Sequence, residues 1–266
     1  LATDEEEVFG DPDVRAVFIL TRHNLHAPQV LKALRAGQSV FVEKPLCLAL
    51  DELAAIQSEI AGRPSQILMV GFNRRFSPAA RAVRDFFAEG RPPLTLSSRF
   101  NAGEIPSEHW TQDEAAGGGR IIGEACHALD LATYLAGSPP VRVYAECIGG
   151  PEAKAVTHDE AALTLRHANG SVSTLLYTAG GDRAFPKERV EVFGGGRVAV
   201  IEDFREVSTT VGGKTRRQRW AGQDKGHRAE LEAFAAALSG GGPSPIPCPA
   251  VKAPSAAPIP AVQTLR

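Results

Sequence analysis

A lysine stands at the predicted end of a buried strand. Residues 39–42 form a short apolar run, and Glu43, Lys44 and Pro45 follow it directly. Ligands of parallel sheets bind at the carboxyl ends of the strands, so Lys44 is placed where chemistry is usually done. Partial desolvation could lower the pKa of its amine and suit it to proton transfer. The alternative is that these charged residues leave the strand and are simply solvated.

A histidine and an aspartate stand three residues apart, at His127 and Asp130. This spacing puts them on one face of a helix, which residues 123–135 are predicted to form. Histidine titrates near neutral pH, and a carboxylate beside it can fix its tautomer or raise its pKa. The pattern therefore predicts either general acid–base chemistry or a His–Asp pair with only a local structural role.

Two arginines, Arg74 and Arg75, follow a further predicted strand at residues 67–71. Guanidinium groups suit a phosphate or a polyol, although these two also fit the solvated start of a helix. His109 and Trp110 are candidates for a pocket wall, with core packing as the alternative for the tryptophan.

The histidines and cysteines do not predict a metal site. His23 and His26 lack convincing Cys or carboxylate partners, and the cysteines have no CxxC or zinc-ribbon spacing. The cysteines are expected to be reduced thiols of a cytoplasmic, enzyme-sized protein. The four cysteines are Cys47, Cys126, Cys147 and Cys248.

The first third of the chain alternates strand and helix patterns, which predicts a parallel α/β sheet. From about residue 94 short alternating runs follow, with Asn169-Gly170 as a hairpin turn, and these predict a mainly antiparallel sheet with helices on one face. The predicted division is a partial dinucleotide-binding domain at 1–77, an α+β substrate or oligomerisation domain at 78–245, and a tail at 246–266. Seven prolines between Pro243 and Arg266 predict that this tail is extended or disordered.

Composition narrows the function classes. The 266 residues carry 29 Lys and Arg against 31 Asp and Glu, a net charge of −2, so no global field favours nucleic acid or an anionic membrane. The apolar runs are strand-sized, which predicts no membrane span. The first residues are acidic, unlike a secretory signal, and lack an initiator Met.

Several segments carry a family pattern in matching order. On these segments the chain resembles the glucose–fructose oxidoreductase/inositol dehydrogenase (Gfo/Idh/MocA) family, up to about residue 247. The segments are residues 17–26, 33–37, 40–45, 70–78, 117–130 and 225–234.

The resemblance implies a nicotinamide-binding Rossmann domain followed by an open-faced sheet domain. It implies hydride transfer between NAD or NADP and a sugar, polyol or sugar derivative, with Lys44 and His127 as the catalytic residues. Supporting or substrate-binding residues are expected at Asn73, Arg75, Trp110, Glu124 and Asp130, and cofactor-binding residues at Thr21, Asn24, His26, Glu43 and Lys44. It also implies a homo-oligomer that packs through the open sheet face.

Two departures from the family pattern leave alternatives open. Many members have Asp four residues before the histidine, where this chain has Gly123 with Glu124 beside it, so Glu124 either substitutes or the proton relay is altered. The opening strand and glycine loop of the family are absent before Leu1, and we expect an N-terminally incomplete chain, one version being the C-terminal module of a two-part oxidoreductase. The rival hypothesis is a non-catalytic sugar-binding or assembly module that retains the fold without binding a cofactor.

Overall fold

Two sheets organise the chain in a computed structural model that describes residues 2–89, 93–148 and 159–259. The first sheet has three parallel strands in the order β1-β2-β3. Its strands are β1 (Ala16–Ile19), β2 (Ser39–Val42) and β3 (Leu68–Val70), and its flanking helices are α1 (Glu5–Phe9), α2 (His23–Arg35) and α3 (Leu50–Ala61). All four residues of β2 are buried, as expected of a central parallel strand. The predicted parallel α/β sheet is confirmed.

The second sheet has eight strands in the order β11-β10-β9-β8-β4-β7-β6-β5. All neighbouring pairs are antiparallel except β4 and β7, which run parallel, so the predicted mainly antiparallel architecture is confirmed. Asn169-Gly170 lies in the turn that joins β6 to β7. The strands are β4 (Thr95–Asn101), β5 (Pro140–Cys147), β6 (Ala161–His167), β7 (Val172–Thr178), β8 (Glu188–Gly194), β9 (Arg197–Glu202), β10 (Glu206–Val211) and β11 (Lys214–Arg219).

Two helices on either side of β4 in sequence, at 78–86 and 126–136, pack on one another. Helix α4 (Pro78–Phe86) begins at a Ser77 cap, whose Oγ accepts a hydrogen bond of 3.1 Å from the Ala80 amide. The predicted helix at 123–135 is a π-helical turn, Ile121–Ala125, that continues into α5 (Cys126–Ala136). Gly137 ends α5 in the left-handed conformation that glycine adopts without steric cost.

The C-terminal segment packs back onto the first sheet. The Phe234 ring of α6 (His227–Gly240) lies 5.5 Å from the ring of Phe18 and 5.6 Å from that of Phe41. One apolar core therefore runs from β1–β3 to the inner face of the second sheet. The division of the chain at residue 77 stays a prediction, since α6 belongs to the predicted second domain and packs on the first.

The expectation of an extended or disordered tail is wrong for residues 248–256. They form α7 (Cys248–Ala256), which contains Pro254 and packs against α3 and α5. Its Val251 side chain is buried, and so is that of Ile246 just before the helix. Burial of this apolar surface outweighs the low helix propensity of proline, because tertiary packing overrides intrinsic propensity. Residues 260–266 of the predicted tail lie outside the described part.

No helix within the described ranges is both long and apolar enough to cross a bilayer.

Candidate functional site

A cavity of about 560 Å³ opens at the carboxyl ends of the parallel strands, between the two sheets. The first sheet contributes Lys44 after β2 and His23 at the start of α2, and the remaining wall comes from the second half of the chain. Its lining residues are His23, Lys44, Asn101, Ala102, Ile105, His109, Trp110, Thr111, Gly119, Arg120, Gly123, Glu124, Arg183 and Lys187. The structure thus brings Lys44, Trp110 and Glu124 together, as predicted from sequence.

Lys44 is half-buried on the wall of this cavity. Its Nζ donates a hydrogen bond of 2.9 Å to the carbonyl oxygen of Gly123, and the Lys44–Pro45 peptide is cis. The Glu43 carboxylate accepts a hydrogen bond of 3.2 Å from the Lys44 backbone amide and packs over Gly71. A Cβ at Gly71 would stand 3.2 Å from Glu43 Oε2, so glycine allows this close packing.

His23 also lines the cavity, although the sequence pattern did not predict it there. Its Nδ1 lies 2.8 Å from the carbonyl oxygen of Gly117, and its ring packs edge-on against Trp110 at 4.7 Å between centroids. Burial lowers the pKa of His23 to about 4, against a smaller opposing effect of the Gly117 hydrogen bond. A Cβ at Gly123 would stand 2.8 Å from His23 Cε1, which explains the glycine at that position. The sequence feature that indicated a role for His23 was its position at the start of α2, in the segment that follows the carboxyl end of β1.

His127 lies one helical turn after Gly123, behind the cavity wall rather than on it. The ring is buried, with its centroid 6.3 Å from that of Phe72, and Nδ1 has no hydrogen-bond partner among the described residues. Burial lowers the pKa of His127 well below its usual value, and nearby positive charges lower it further. The imidazole is therefore neutral at pH 7. The positive neighbours are Arg74, Lys44 and Lys187.

Asp130 does not orient His127, contrary to one of the two expectations for this pair. Its carboxylate accepts two hydrogen bonds from the Arg75 guanidinium, one of 2.9 Å from Nε and a second from Nη2. Both side chains are almost completely buried, at 1% and 8% exposure. The pKa of Asp130 is raised by burial, which Arg75 opposes. The i, i+3 spacing allowed the His–Asp contact, but a bidentate guanidinium is the stronger partner.

The two arginines at 74 and 75 are occupied by carboxylates and do not reach the cavity. Arg74 binds Glu188 of β8 through Nε at 2.6 Å and Nη2 at 2.9 Å, and Lys225 shares the same carboxylate at 2.6 Å. The side-chain amide of Asn73 donates a hydrogen bond of 2.9 Å to the Lys225 carbonyl oxygen. In this structure these residues lock the two halves of the chain together rather than grip a phosphate or polyol.

Glu124 is the centre of a polar cluster on the cavity wall. Its carboxylate accepts hydrogen bonds from Arg120 at 3.0 Å, Tyr177 at 2.5 Å and Lys187 at 2.7 Å. Burial raises the pKa of Glu124, but Lys187, Tyr177 and Arg120 outweigh burial and hold it at about 2. Tyr177 and Lys187 follow Glu124 by 53 and 63 residues, so no local spacing could have identified them.

The predicted cofactor residues differ in how they are placed. Thr21 and Asn24 are exposed near the carboxyl end of β1. The backbone N–H of Asn24 donates a hydrogen bond of 3.2 Å to the Ala116 carbonyl oxygen. His26 is completely buried, with Nδ1 2.7 Å from the Pro45 carbonyl oxygen and Nε2 3.1 Å from that of Thr21. Its ring therefore braces the loops after β1 and β2 instead of facing the cavity.

The four cysteines are free thiols. Across residues 2–89, 93–148 and 159–259, no group of three or more His, Cys, Asp or Glu side chains is arranged to hold a metal ion.

Comparison with known proteins identifies two family models on the chain. Residues 1–72 match an oxidoreductase family with an NAD-binding Rossmann fold, and residues 81–197 match the GFO/IDH/MocA C-terminal domain. The order of these matches agrees with the order of the two sheets.

Curated relatives match over part of their length. An inositol 2-dehydrogenase of Rhizobium meliloti is 32% identical over 213 residues, which cover 75% of this chain and 60% of that protein. A 1,5-anhydro-D-fructose reductase of Ensifer adhaerens is 36% identical over 149 residues, 54% of this chain and 44% of that protein. The chain spans 62% of an uncharacterized oxidoreductase, YrbE, of Bacillus subtilis, at 27% identity over 79% of the chain. In these three alignments the chain covers less than two thirds of its relatives' length.

Solved structures share the fold over nearly the whole chain. A putative myo-inositol dehydrogenase from Sinorhizobium meliloti superposes with a TM-score of 0.76 at 25% identity, over 98% of this chain and 82% of that chain. A levoglucosan dehydrogenase in complex with NADH and levoglucosan gives a TM-score of 0.84 at 22% identity, over 99% of this chain and 81% of that chain. The two family models, matched over residues 1–72 and 81–197, show that the chain belongs to the Gfo/Idh/MocA oxidoreductase family.

Proposed function

We propose that this protein is an NAD(P)-dependent oxidoreductase that transfers a hydride between the cofactor and an alcohol or ketone of a sugar, polyol or sugar derivative. One observation carries the proposal: Lys44 follows the carboxyl end of β2 and forms part of the wall of a cavity between a parallel sheet and a second, open-faced sheet. Ligands of parallel sheets bind at this edge. The relatives named as inositol dehydrogenase and anhydrofructose reductase support the same class of reaction.

The residues around β1 and β2 are compatible with the nicotinamide end of a dinucleotide. Thr21 and Asn24 would contact it from the exposed β1 end, and Glu43 and Lys44 from the β2 end. His127 presents a buried Nδ1 with no partner in the described residues, as expected where a polar group acts on a ligand. A bound nicotinamide would supply the hydride acceptor or donor, and positioning and proton transfer remain for the protein.

Two side chains are proposed to handle the proton of the substrate hydroxyl. Lys44 Nζ reaches the cavity and keeps N–H groups beyond the one that Gly123 accepts. His127 is neutral, so an imidazole nitrogen is available to accept a proton. Glu124 and Trp110 line the same cavity and are proposed to contact the substrate.

We also propose a homo-oligomer formed through the outer face of the eight-stranded sheet. Tyr144, Leu176 and Phe193 point outward there and are 62%, 50% and 40% exposed. Burial against another subunit would remove this apolar area from water. The four free thiols support a cytoplasmic location, which is likewise a proposal.

The test is cofactor binding followed by turnover. NADH and NADPH are titrated against the protein by nicotinamide fluorescence, and saturable binding in the micromolar range is expected, equivalent to about 8 kcal/mol. Oxidation of sugars and polyols is then followed at 340 nm, with Lys44→Ala as the site variant and Lys214→Ala, on the exposed outermost strand, as its control. Lys44→Ala is expected to lower turnover by about 10² to 10⁴. Sugar binding with no affinity for either nucleotide would favour the non-catalytic module instead.

A further inference from the structure

The cavity carries more positive than negative side chains. Lys44 lies on the side of the first sheet, and Arg120, Arg183 and Lys187 come from the second half of the chain. Among the described residues that line the cavity, Glu124 is the one carboxylate, and Asp159 lies 3.6 Å from Nη1 of Arg120. Four cationic groups thus face two carboxylates, in a chain whose overall net charge is −2.

Two of the four cations have no carboxylate partner in the described part of the chain. Lys44 Nζ donates to the Gly123 carbonyl oxygen, and Arg183 Nη2 donates to that of Glu104. Neither contact neutralises a charge. Arg74 and Arg75 show the contrast, since the guanidinium of each binds a buried carboxylate through two hydrogen bonds.

The positive excess extends to the residue proposed to act beside the cavity. Besides burial, the charges of Arg74, Lys44 and Lys187 lower the pKa of His127, and the last two of these side chains line the cavity. Such a field favours negative charge in the cavity.

A neutral polyol would interact only weakly with these cationic side chains. Its hydroxyls would displace water from Lys44 and Arg183 without supplying a countercharge, and desolvated cations are costly unless they are paired. A carboxylate or phosphate would accept charge-assisted hydrogen bonds from them, which are about twice as strong as neutral ones.

We propose that the substrate is an anionic sugar derivative, whose carboxylate or phosphate is bound by Arg183 and Lys187 while its reacting carbon lies toward Lys44. This inference rests on the proposed function and narrows its substrate class. Arg183 supplies a planar fork at the exposed rim, and Lys187 supplies a second charge beside Glu124.

The first experiment compares matched ligands by calorimetry, with and without NADH, so that binding is read independently of turnover. D-glucuronate and D-glucose 6-phosphate are each compared with D-glucose. At least one of the two anions is expected to bind about tenfold or more tightly than glucose, as for hydrogen bonds to charged groups. Which anion is preferred distinguishes a carboxylate from a phosphate source. Its affinity is expected to fall as KCl is raised from 0.05 to 0.5 M, because salt screens exposed charges.

The second experiment tests the assigned residues. Arg183→Gln and Lys187→Gln are each expected to weaken binding of the preferred anion about tenfold and to leave NADH affinity unchanged. Arg216→Gln removes an exposed arginine from β11 and is the matched control. A circular dichroism spectrum and melting temperature for each variant separate loss of binding from loss of fold.

The outcomes separate this inference from the proposed function. Hydride transfer to neutral polyols with no preference for anions overturns the inference and leaves the function standing. Anion binding without hydride transfer to any ligand overturns the function, and leaves standing only the anion site at Arg183 and Lys187. Failure of both anions to bind better than glucose, or anion binding that neither Arg183→Gln nor Lys187→Gln weakens, overturns the inference. So does an Arg183→Gln effect confined to NADH, which would assign the guanidinium to the cofactor.

Discussion

The carboxylate of Asp130 binds the guanidinium of Arg75, although His127 stands three residues before it on the same helix. Arg75 Nε lies 2.9 Å from Asp130 Oδ2, and the pair joins the turn after β3 to α5 inside the protein. The aspartate is therefore a structural anchor for the helix that carries His127.

Removing this carboxylate is expected to destabilise the fold. Asp130→Asn leaves the Arg75 charge buried without its counterion and is expected to lower the free energy of unfolding by about 3 kcal/mol. The measurement is urea denaturation followed by circular dichroism. Glu232→Gln is the control, because the Arg228–Glu232 pair is largely exposed and is expected to contribute less than about 0.5 kcal/mol. Equal effects of the two variants would contradict the anchoring role of Asp130.

His127 is expected to leave no acid limb near pH 6.5 in the pH profile of kcat/KM. Burial and the surrounding cations keep its pKa well below 6.5, so the imidazole stays neutral and competent as the solution is acidified through that value. His127→Asn is expected to lower kcat/KM by about 10² to 10⁴ at pH 7. The idea fails if the profile shows a limb near pH 6.5 that His127→Asn abolishes.

Glu230 is expected to make the protein less stable as pH rises. Its side chain is buried in α6, and Oε1 has no partner among the described residues. Burial, and then the charges of Glu43 and Asp130, raise the pKa of Glu230 from 4.5 to about 8. Between these values the unfolded chain releases a proton that the folded protein keeps, so stability is complete below pH 4.5 and is lost progressively up to about pH 8.

Glu230→Gln tests this linkage. The variant is expected to be more stable than the parent protein at pH 8. The free energy of unfolding of the parent is expected to fall with pH by roughly 1 kcal/mol per pH unit because of Glu230, and the variant is expected to lack this contribution. The free energy of unfolding is measured in urea at pH 5 and pH 8, with Glu232→Gln, exposed on the same helix, as the control. If the free energy of unfolding of Glu230→Gln falls with pH as steeply as that of the parent, the pH dependence belongs to another group.

Tyr177 is expected to stabilise the Glu124 cluster through its hydroxyl. Tyr177 is fully buried, and its Oη donates to Glu124 at 2.5 Å. Tyr177→Phe removes a hydrogen bond to a charged group and is expected to cost about 2 kcal/mol of stability. Tyr144→Phe is the matched control, because Tyr144 donates to Glu146 on the exposed face and its loss is expected to cost less than about 0.5 kcal/mol. Thermal unfolding of both variants measures the difference, and equal melting temperatures would rule out the stabilising role.

Local pattern was sufficient to predict the parallel strands β1 to β3, the helices between them and the position of Lys44. The β-branched and apolar runs of β1 to β3 alternate with helical periodicity, and this predicts a parallel sheet whose strand ends share one edge. Asn169-Gly170 predicted the β6–β7 hairpin for an equally local reason, since it suits the tight turn. These features depend on neighbours within a few residues, which the sequence by itself determines.

The tertiary structure decided which side chains meet. Asp130 binds Arg75, 55 residues earlier, and Glu124 binds Tyr177 of β7 and Lys187 just before β8. Residues 248–256 became a helix despite their prolines, because α3 and α5 offered an apolar surface to cover. Partners of buried charges and apolar faces are chosen by the free energy of desolvation over the whole fold, and spacing along the chain does not encode that free energy.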